Sequence, residues 1–160
     1  IGTDGLDAPD PPTAITPTVG VGTVSIAFTA PTDAGTSAIT GFVAQVSTDG
    51  TDYSTGSNTG TSSPIVVSDL SSAASTAKVW AINAYGTSAP SVASASFTPA
   101  AARAIFAGGD VSGQRNDIRY FTLASTGNTT DFGNLSAVRS SIGDSGASST
   151  RGIFAGGRNS

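Results

Sequence analysis

Hydrophobic and polar residues alternate in several short stretches of the first hundred positions. Thr23–Thr29 (TVSIAFT) places Val24, Ile26 and Phe28 on one face. Gly41–Ser47 (GFVAQVS) repeats this arrangement. A period of two residues is typical of a strand that buries one of its faces. The pattern therefore predicts β-strands that share one apolar core.

Three further stretches extend the pattern. Ala77–Ala84 alternates as clearly as the first two, whereas Pro64–Leu70 and Ser91–Phe97 are less regular but are also predicted as strands. Turn residues separate the strands, and Asp49-Gly50 is the strongest hairpin signal. Strands this short and regularly spaced predict an all-β sandwich over residues 14–99. The predicted interior consists of Ile26, Phe28, Phe42, Val46, Val66 and Val79.

The flanking segments have a different texture. Residues 1–13, rich in Gly, Asp and Pro, are predicted to be a linker, and residues 100–102 a hinge. Beyond the hinge, RAIFAGG at Arg103–Gly109 returns as RGIFAGG at Arg151–Gly157. Only one of the seven positions differs, and the period is 48 residues (151 − 103). A period of that length predicts a repeat architecture, with one full repeat and the start of the next in residues 103–160.

Missing residue types limit the chemistry. The chain has no Cys and no His, and all of its acidic residues are Asp. It therefore offers no thiolate nucleophile, no cysteine-ligated zinc and no histidine base. Four aspartates in the second half lie in turn-like sequences, where Asp caps the backbone: Asp110, Asp117, Asp131 and Asp144. We expect no enzyme activity, no catalytic residue, no metal and no cofactor.

Charge argues against nucleic-acid binding, and hydropathy argues against a membrane-spanning segment. Residues 1–100 hold seven Asp against Lys78, a net charge of −6, whereas residues 101–160 hold six Arg against four Asp, a net charge of +2. Nucleic-acid binding normally requires a clustered basic face, so we expect none. No apolar run approaches the roughly 20 residues of a membrane span, so we expect no membrane-spanning segment.

Several motifs of the first half resemble a fibronectin type III domain over residues 9–99. Pro11-Pro12 matches the opening of that family, and Thr29-Ala30-Pro31 matches the end of its second strand. A third match is the family's A-x-N-x-x-G-x-S-x-P-S signature, at Ala81–Ser91. The resemblance implies a fibronectin-III/immunoglobulin-like sandwich. Phe28 stands where the family usually has Trp, and Ser75 near its usual corner Tyr.

The second half resembles a kelch repeat, which implies a partial β-propeller-type unit. The segment Asp117–Leu135 is similar to the later strands of a kelch repeat, with Tyr120 and Phe132 at the aromatic positions. IFAGG is similar to the strand that ends in a double glycine. Degenerate repeats with these sequence motifs resemble those of bacteriophage tail-fibre and appendage proteins.

These features together predict a structural and binding component of a phage virion: a tail fibre, whisker or surface decoration. Its location would be the virion surface, and its partners would be other virion proteins, a host-surface glycan or receptor, and further copies of itself. Two alternatives stay open, an accessory region of a secreted polysaccharide-active enzyme and a cell-surface adhesin. Trp80 is predicted to face outward, and the candidate partner-contact residues are Trp80, Tyr85 and Tyr53.

Overall fold

The computed structural model describes residues 5–107, 115–122, 130–139, 145–147 and 152–154. All regular secondary structure in these residues is β-strand, which confirms the all-β prediction. The chain divides into two compact units, Ile1–Ala100 and Ala101–Ser160.

The first unit is an antiparallel sandwich of two sheets. One sheet has three strands in the order β1-β2-β5, and the other has four in the order β4-β3-β6-β7. The strands are β1 Thr13–Gly20, β2 Thr23–Thr29, β3 Gly41–Ser47, β4 Gly56–Gly60, β5 Ile65–Val67, β6 Thr76–Asn83 and β7 Gly86–Thr87.

The core lies between the two sheets and follows the predicted alternation. Val24 and Ile26 of β2 and Val79 of β6 are fully buried. Phe28 and Phe42 meet across the sandwich with ring centroids 4.8 Å apart, and both are buried. Five of the six residues predicted to lie inside are therefore confirmed.

Val66 is the exception, and its prediction was wrong: the side chain is 46% exposed, whereas Ile65 and Val67 on either side are buried. In a strand, a shift of one residue moves every side chain to the other face. The run Ile-Val-Val is apolar throughout and shows no alternation, so the sequence did not fix which face points inward. The pairing of Val24 with Val67 and of Ile26 with Ile65 fixes it in the structure.

Ser91–Phe97 was predicted as a strand, and this prediction was also wrong, because residues 88–96 have no regular strand structure. The chain there advances in steps of three residues beside β6, which advances in steps of two. The backbone amides of Ser88, Ser91 and Ser94 donate to the carbonyls of Ala81, Val79 and Ala77. Three residues thus cover the length of two strand residues, about 6.8 Å, or roughly 2.3 Å per residue against about 3.4 Å in a strand.

The loop after β3 is longer than the Asp49-Gly50 signal suggested. It runs over residues 48–55 before β4 begins. Three strands of the first unit, β1, β4 and β7, were not predicted at all. β1 contains Pro17 and is an edge strand, and β4 (GSNTG) has no apolar residue. Prolines are tolerated on edge strands because the missing amide faces away from the ladder.

The second unit contains a three-stranded antiparallel sheet in the order β10-β9-β8 and a separate two-stranded pair, β11-β12. The strands are β8 Arg103–Ala107, β9 Arg115–Thr122, β10 Thr130–Arg139, β11 Ser145–Ala147 and β12 Gly152–Phe154. Both copies of the repeated heptapeptide therefore contribute a strand. None of the residues that the structure describes forms a helix with the length and apolarity needed to cross a bilayer.

Candidate functional site

An aromatic patch, composed of Tyr53, Lys78 and Trp80, lies on the outer face of the four-stranded sheet. The rings of Tyr53 and Trp80 meet edge to face, with centroids 6.4 Å apart at 75°. The ammonium Nζ of Lys78 lies 4.6 Å from the centroid of the Tyr53 ring. Such a cation–π contact favours a fixed position for both side chains.

The alternation of β6 places this patch outward, as the sequence predicted. Val79 and Ala81 are fully buried, so Lys78, Trp80 and Ile82 between them face away from the core and are half-buried. Trp80 is paired across the sheet with Val43, which is also half-buried. Apolar surface thus continues from the patch along the middle of the sheet.

Tyr53 reaches the patch from the loop after β3, and two interactions hold it there. Its hydroxyl lies 3.2 Å from that of Thr76, at the start of β6. The loop itself is closed by the side chain of Asp49, whose Oδ1 accepts hydrogen bonds from the amides of Thr51 and Asp52, both at 2.8 Å. Polar caps of this kind give a loop a defined shape without a buried core.

The hydrogen bonds that cap the loop also stabilise the charged form of Asp49. The backbone amides of Thr51 and Asp52 and the hydroxyl of Ser47 hold the pKa of Asp49 below its ordinary value. Ser47 is fully buried and donates from Oγ to Asp49 at 2.8 Å. Hydrogen bonds that donate to a carboxylate stabilise its charged form.

Tyr85, the third candidate contact residue, lies apart from the patch. It is 49% exposed and lines an open cleft of about 740 Å³ at the end of the sandwich where β6 finishes. Leu6, Asp10 and Asp33 line the same cleft. The structure therefore brings together two of the three predicted contact residues, and their role in partner binding remains a prediction.

The four aspartates that the sequence analysis considered as candidate catalytic residues form no cluster in the part of the chain that the structure describes. Asp131 is exposed on β10 and accepts a hydrogen bond from the amide of Gly133 at 3.0 Å, which is a backbone cap. Asp117 lies in β9, and Asp110 and Asp144 fall outside the described residues. Among the residues described, no three acidic side chains converge as metal ligands would.

Sequence reasoning missed two sets of polar residues that close the sandwich. The first is the serine ladder, Ser88, Ser91 and Ser94. Each hydroxyl accepts a hydrogen bond from a backbone amide of β6 at 3.0 Å and donates to the carbonyl of the next residue in its own segment. The signal was available as S-x-x-S-x-x-S, a period of three that fits neither strand nor helix.

The second is Asn83, at the end of β6 and 5% exposed. Its Nδ2 donates to the carbonyls of Asp7 at 2.9 Å and Ala34 at 2.8 Å, and its Oδ1 accepts from the amides of Tyr85 and Gly86. One side chain thus ties three segments together: residues 5–12 before β1, here called the entry segment, the loop between β2 and β3, and the turn after β6. The signature around Asn83 suggested a domain type, but not this role.

Ser75 lies near the position at which the fibronectin type III resemblance implies a corner tyrosine. Its Oγ donates to the carbonyl of Ala73 at 3.0 Å, while its backbone pairs in both directions with Phe97. The corner is therefore closed by a local hydrogen bond and a backbone bridge instead of a phenol.

Solved structures with a similar arrangement establish the fold of the first unit. A run of titin domains matches with a TM-score of 0.52 and 23% identity, covering 58% of this chain and 32% of that one. The first unit has a fibronectin-III/immunoglobulin-like fold. The FN1–FN3 domains of chicken CNTN1 match with a TM-score of 0.51 and 18% identity, covering 75% of this chain and 43% of that one.

Titin kinase with its flanking domains also matches, with a TM-score of 0.51 and 16% identity over 72% of this chain and 28% of that one. The chain spans less than half the length of each of these structures. At these identities the likeness concerns the fold alone. The sequence matches no protein-family model and no curated protein.

Proposed function

We propose that this chain is a non-enzymatic structural and binding component of a bacteriophage virion, such as a tail fibre, whisker or surface decoration. In this proposal the sandwich acts as a spacer and adaptor, the aromatic patch contacts a partner, and the repeats extend the contact surface.

The observation that carries the spacer role is the path of the chain through the sandwich. The chain enters beside the loop between β2 and β3, where Thr36 donates its amide to the carbonyl of Asp7. It leaves at Ala100, whose amide donates to the carbonyl of Gly20, the last residue of β1, and whose carbonyl accepts from the amide of Gly22. Entry and exit therefore lie at opposite ends of β1, whose eight residues span about 24 Å at 3.4 Å per step. Each such module inserts its full length between what precedes and follows it.

The entry segment is also held rigidly, which an adaptor requires. The amide of Asp10 donates to the carbonyl of Asp33 at 3.1 Å. Gly35 lies against the same segment, where a Cβ would meet the carbonyl of Asp7 at 2.2 Å, and its φ of +72° favours glycine. A side chain at this position would therefore separate the entry segment from the loop.

The aromatic patch supports the binding role. Trp and Tyr offer large, stiff contact surfaces, and both are over-represented where partners dock. Here Trp80 is supported from one side by Tyr53, while Lys78 adds a positive charge to a unit that otherwise carries only aspartates among its charged residues. A host-surface glycan or an acidic protein surface fits this combination.

The virion assignment rests on the resemblance of the repeats, and its test is location. Antibodies against the sandwich would be applied to purified phage particles, to intact cells and to culture supernatant from a culture that produces the protein. We expect label on the particles at a fixed number of copies per virion. If the antibodies label only the cell envelope, the result would instead support an adhesin. If they recognise a secreted polysaccharide-degrading enzyme in the supernatant, the result would support the accessory-region alternative.

The contact role of the patch is tested separately with the full chain. Binding to host cells and to their purified surface polysaccharide would be compared for Trp80→Ala and Tyr85→Ala. We expect at least a tenfold loss for the first variant and little change for the second, because only Trp80 belongs to the patch. Equal binding by all three proteins would remove the patch from the proposal and leave the spacer role.

A further inference from the structure

The loop after β3 contains Asp49-Gly50, one of the two Asp-Gly pairs of the sequence; the other is Asp4-Gly5. An Asp-Gly linkage isomerises spontaneously more readily than other aspartyl linkages. Glycine has no side chain to shield its backbone nitrogen, and its backbone adopts conformations that other residues avoid. Asp49-Gly50 is therefore a candidate site of covalent modification, and it lies in the loop that carries Tyr53 to the aromatic patch.

The isomerisation takes place in two steps and consumes neither oxidant nor reductant. In the first step, the backbone nitrogen of Gly50 attacks Cγ of Asp49. A bond forms between this nitrogen and Cγ, and the hydroxyl of the protonated carboxyl group leaves as water together with the amide proton. In the second step, water opens the resulting succinimide ring at the main-chain carbonyl of Asp49. The chain then continues through the former side chain, as an isoaspartyl linkage of unchanged mass.

Hydrogen bonds engage both of the groups that must react. The amide of Gly50 donates to Oγ of Ser47 at 2.9 Å, and this hydroxyl donates to Oδ1 of Asp49 at 2.8 Å. The same Oδ1 accepts from the amides of Thr51 and Asp52. The carboxyl group has to leave these donors before its carbon is able to turn toward the nitrogen of Gly50. The hydrogen bonds therefore oppose the first step.

The charge of the carboxyl group opposes the same step. A carboxylate is a poor electrophile, so the protonated form is the one that cyclises. The donors around Asp49 stabilise its charged form and hold its pKa below the ordinary value, which makes the reactive form rare at neutral pH. Ser47 takes part in both effects, and it is fully buried at the end of β3, so the strand fixes the position of its hydroxyl.

We propose that Ser47 protects Asp49-Gly50 from isomerisation, and that isomerisation at this site displaces Tyr53 from the aromatic patch. An isoaspartyl linkage lengthens the backbone by one carbon atom and removes the carboxylate that caps the following amides. Tyr53 comes directly after these capped residues, and its hydroxyl lies 3.2 Å from that of Thr76 in the intact loop. This proposal does not depend on what the patch binds.

The protective role is tested by the rate at which isoaspartate forms at position 49. The natural full chain, Ser47→Ala and Thr48→Ala would be incubated at neutral pH, and isoaspartate would be measured by peptide mapping, with Asp4-Gly5 as the internal reference. Loss of hydrogen bonds to the reacting groups should make Ser47→Ala about tenfold faster than the natural chain. Thr48→Ala is the matched control, because its hydroxyl lies 3.5 Å from that of Thr55 and should leave the rate unchanged.

A peptide of residues 47–53 supplies a reference without the fold. Isoaspartate should form at least tenfold more slowly in the folded natural chain than in this peptide. Equal rates in the folded chain and the peptide would overturn the proposal. So would an unchanged or slower rate in folded Ser47→Ala, since a slower rate would mean that Ser47 relays the proton of Gly50 to the carboxylate and promotes the reaction.

The effect on the patch is tested at Trp80, the one tryptophan of the sequence. The isomerised fraction of Ser47→Ala would be separated from the unmodified fraction by ion-exchange chromatography. The proton NMR shifts of the Trp80 indole should differ between the two fractions and, after isomerisation, should approach those of Tyr53→Ala, because the Tyr53 ring has left its edge-to-face contact. Identical indole shifts in the two fractions would show that Tyr53 stays in place and would overturn this part of the proposal.

Discussion

The two units of this chain use the same kinds of residue, and their described residues form different sheet arrangements. The sandwich has two sheets that face each other, and every member of the buried apolar core found in the described residues belongs to it. The second unit has a three-stranded sheet and a separate strand pair. Strand-forming sequence is present in both units, and in general a β-sheet needs a second apolar surface to pack against before it is stable alone.

The sandwich also satisfies the outer backbone amides of β6 without a further regular strand. Where an eighth regular strand could have been used, the serine ladder satisfies the β6 amides with hydroxyl groups. Small side chains of high turn propensity thereby replace both a strand and the apolar residues that it would need.

The largest effect is expected when the two units are separated. Residues 1–100 should unfold in a single cooperative transition, because their core is complete. Residues 103–160 should exchange their amides rapidly throughout and show no transition, because one repeat cannot bury its apolar face. Thermal unfolding by circular dichroism and hydrogen exchange measure this. A cooperative transition of the second fragment as a monomer would make it an independent domain and break the comparison.

Within the sandwich, Asn83→Ala should destabilise most among the polar substitutions. It removes the buried side chain that joins the entry segment to two loops, together with its hydrogen bonds to two carbonyls and two amides of these segments. We expect a loss of about 2–4 kcal/mol in the free energy of unfolding. Urea denaturation measures it, with Asn58→Ala as the control, because Asn58 is exposed and bonds mainly to the carbonyl of Val66. Equal losses for the two variants would mean that Asn83 does not tie the loops together.

Ser91→Ala should cost less, about 1–3 kcal/mol, since it leaves one buried amide, that of Val79, without an acceptor. Ser96→Ala in the same segment is the matched control, because Ser96 is exposed and outside the ladder. The difference between the two variants in urea midpoint isolates the ladder hydrogen bond. If both behave alike, the segment is held by its backbone bonds alone.

The smallest effect concerns pH. The pKa of Asp49 is lower in the folded protein than its ordinary value of 3.8, because backbone amides and Ser47 donate to its charged form. Its contribution to stability is therefore fully present above that value and is lost as the pH falls through the folded pKa. Asp49→Asn should be less stable than the natural protein near neutral pH and should approach it below pH 3.8. A constant difference in urea midpoint across this range would contradict the assignment.

The sequence predicted the strands with clear alternation and the residues that they bury. β2, β3 and β6 follow the expected faces, and Trp80 lies outward for the reason that the pattern implied. It did not predict the orientation of β5, because a run of three apolar residues has no period. Nor did it predict β1, β4 and β7, whose edge positions require little apolar surface.

The candidate site divides in the same way. Sequence alone selected Tyr53, Trp80 and Tyr85 as exposed aromatics, but only the tertiary structure separated Tyr85 from the other two. The reason is geometric, since the loop after β3 returns to the start of β6, while Tyr85 follows the end of β6.

What the sequence determined by itself is the all-β character, the alternating core and the 48-residue repeat, since periodicity and identity are local properties of the chain. The tertiary structure decided what depends on distant partners. It placed the serine ladder beside β6 and joined Asn83 to three separate segments. Hydrogen bonds between remote segments have no period to read, so only the folded chain reveals which polar groups meet.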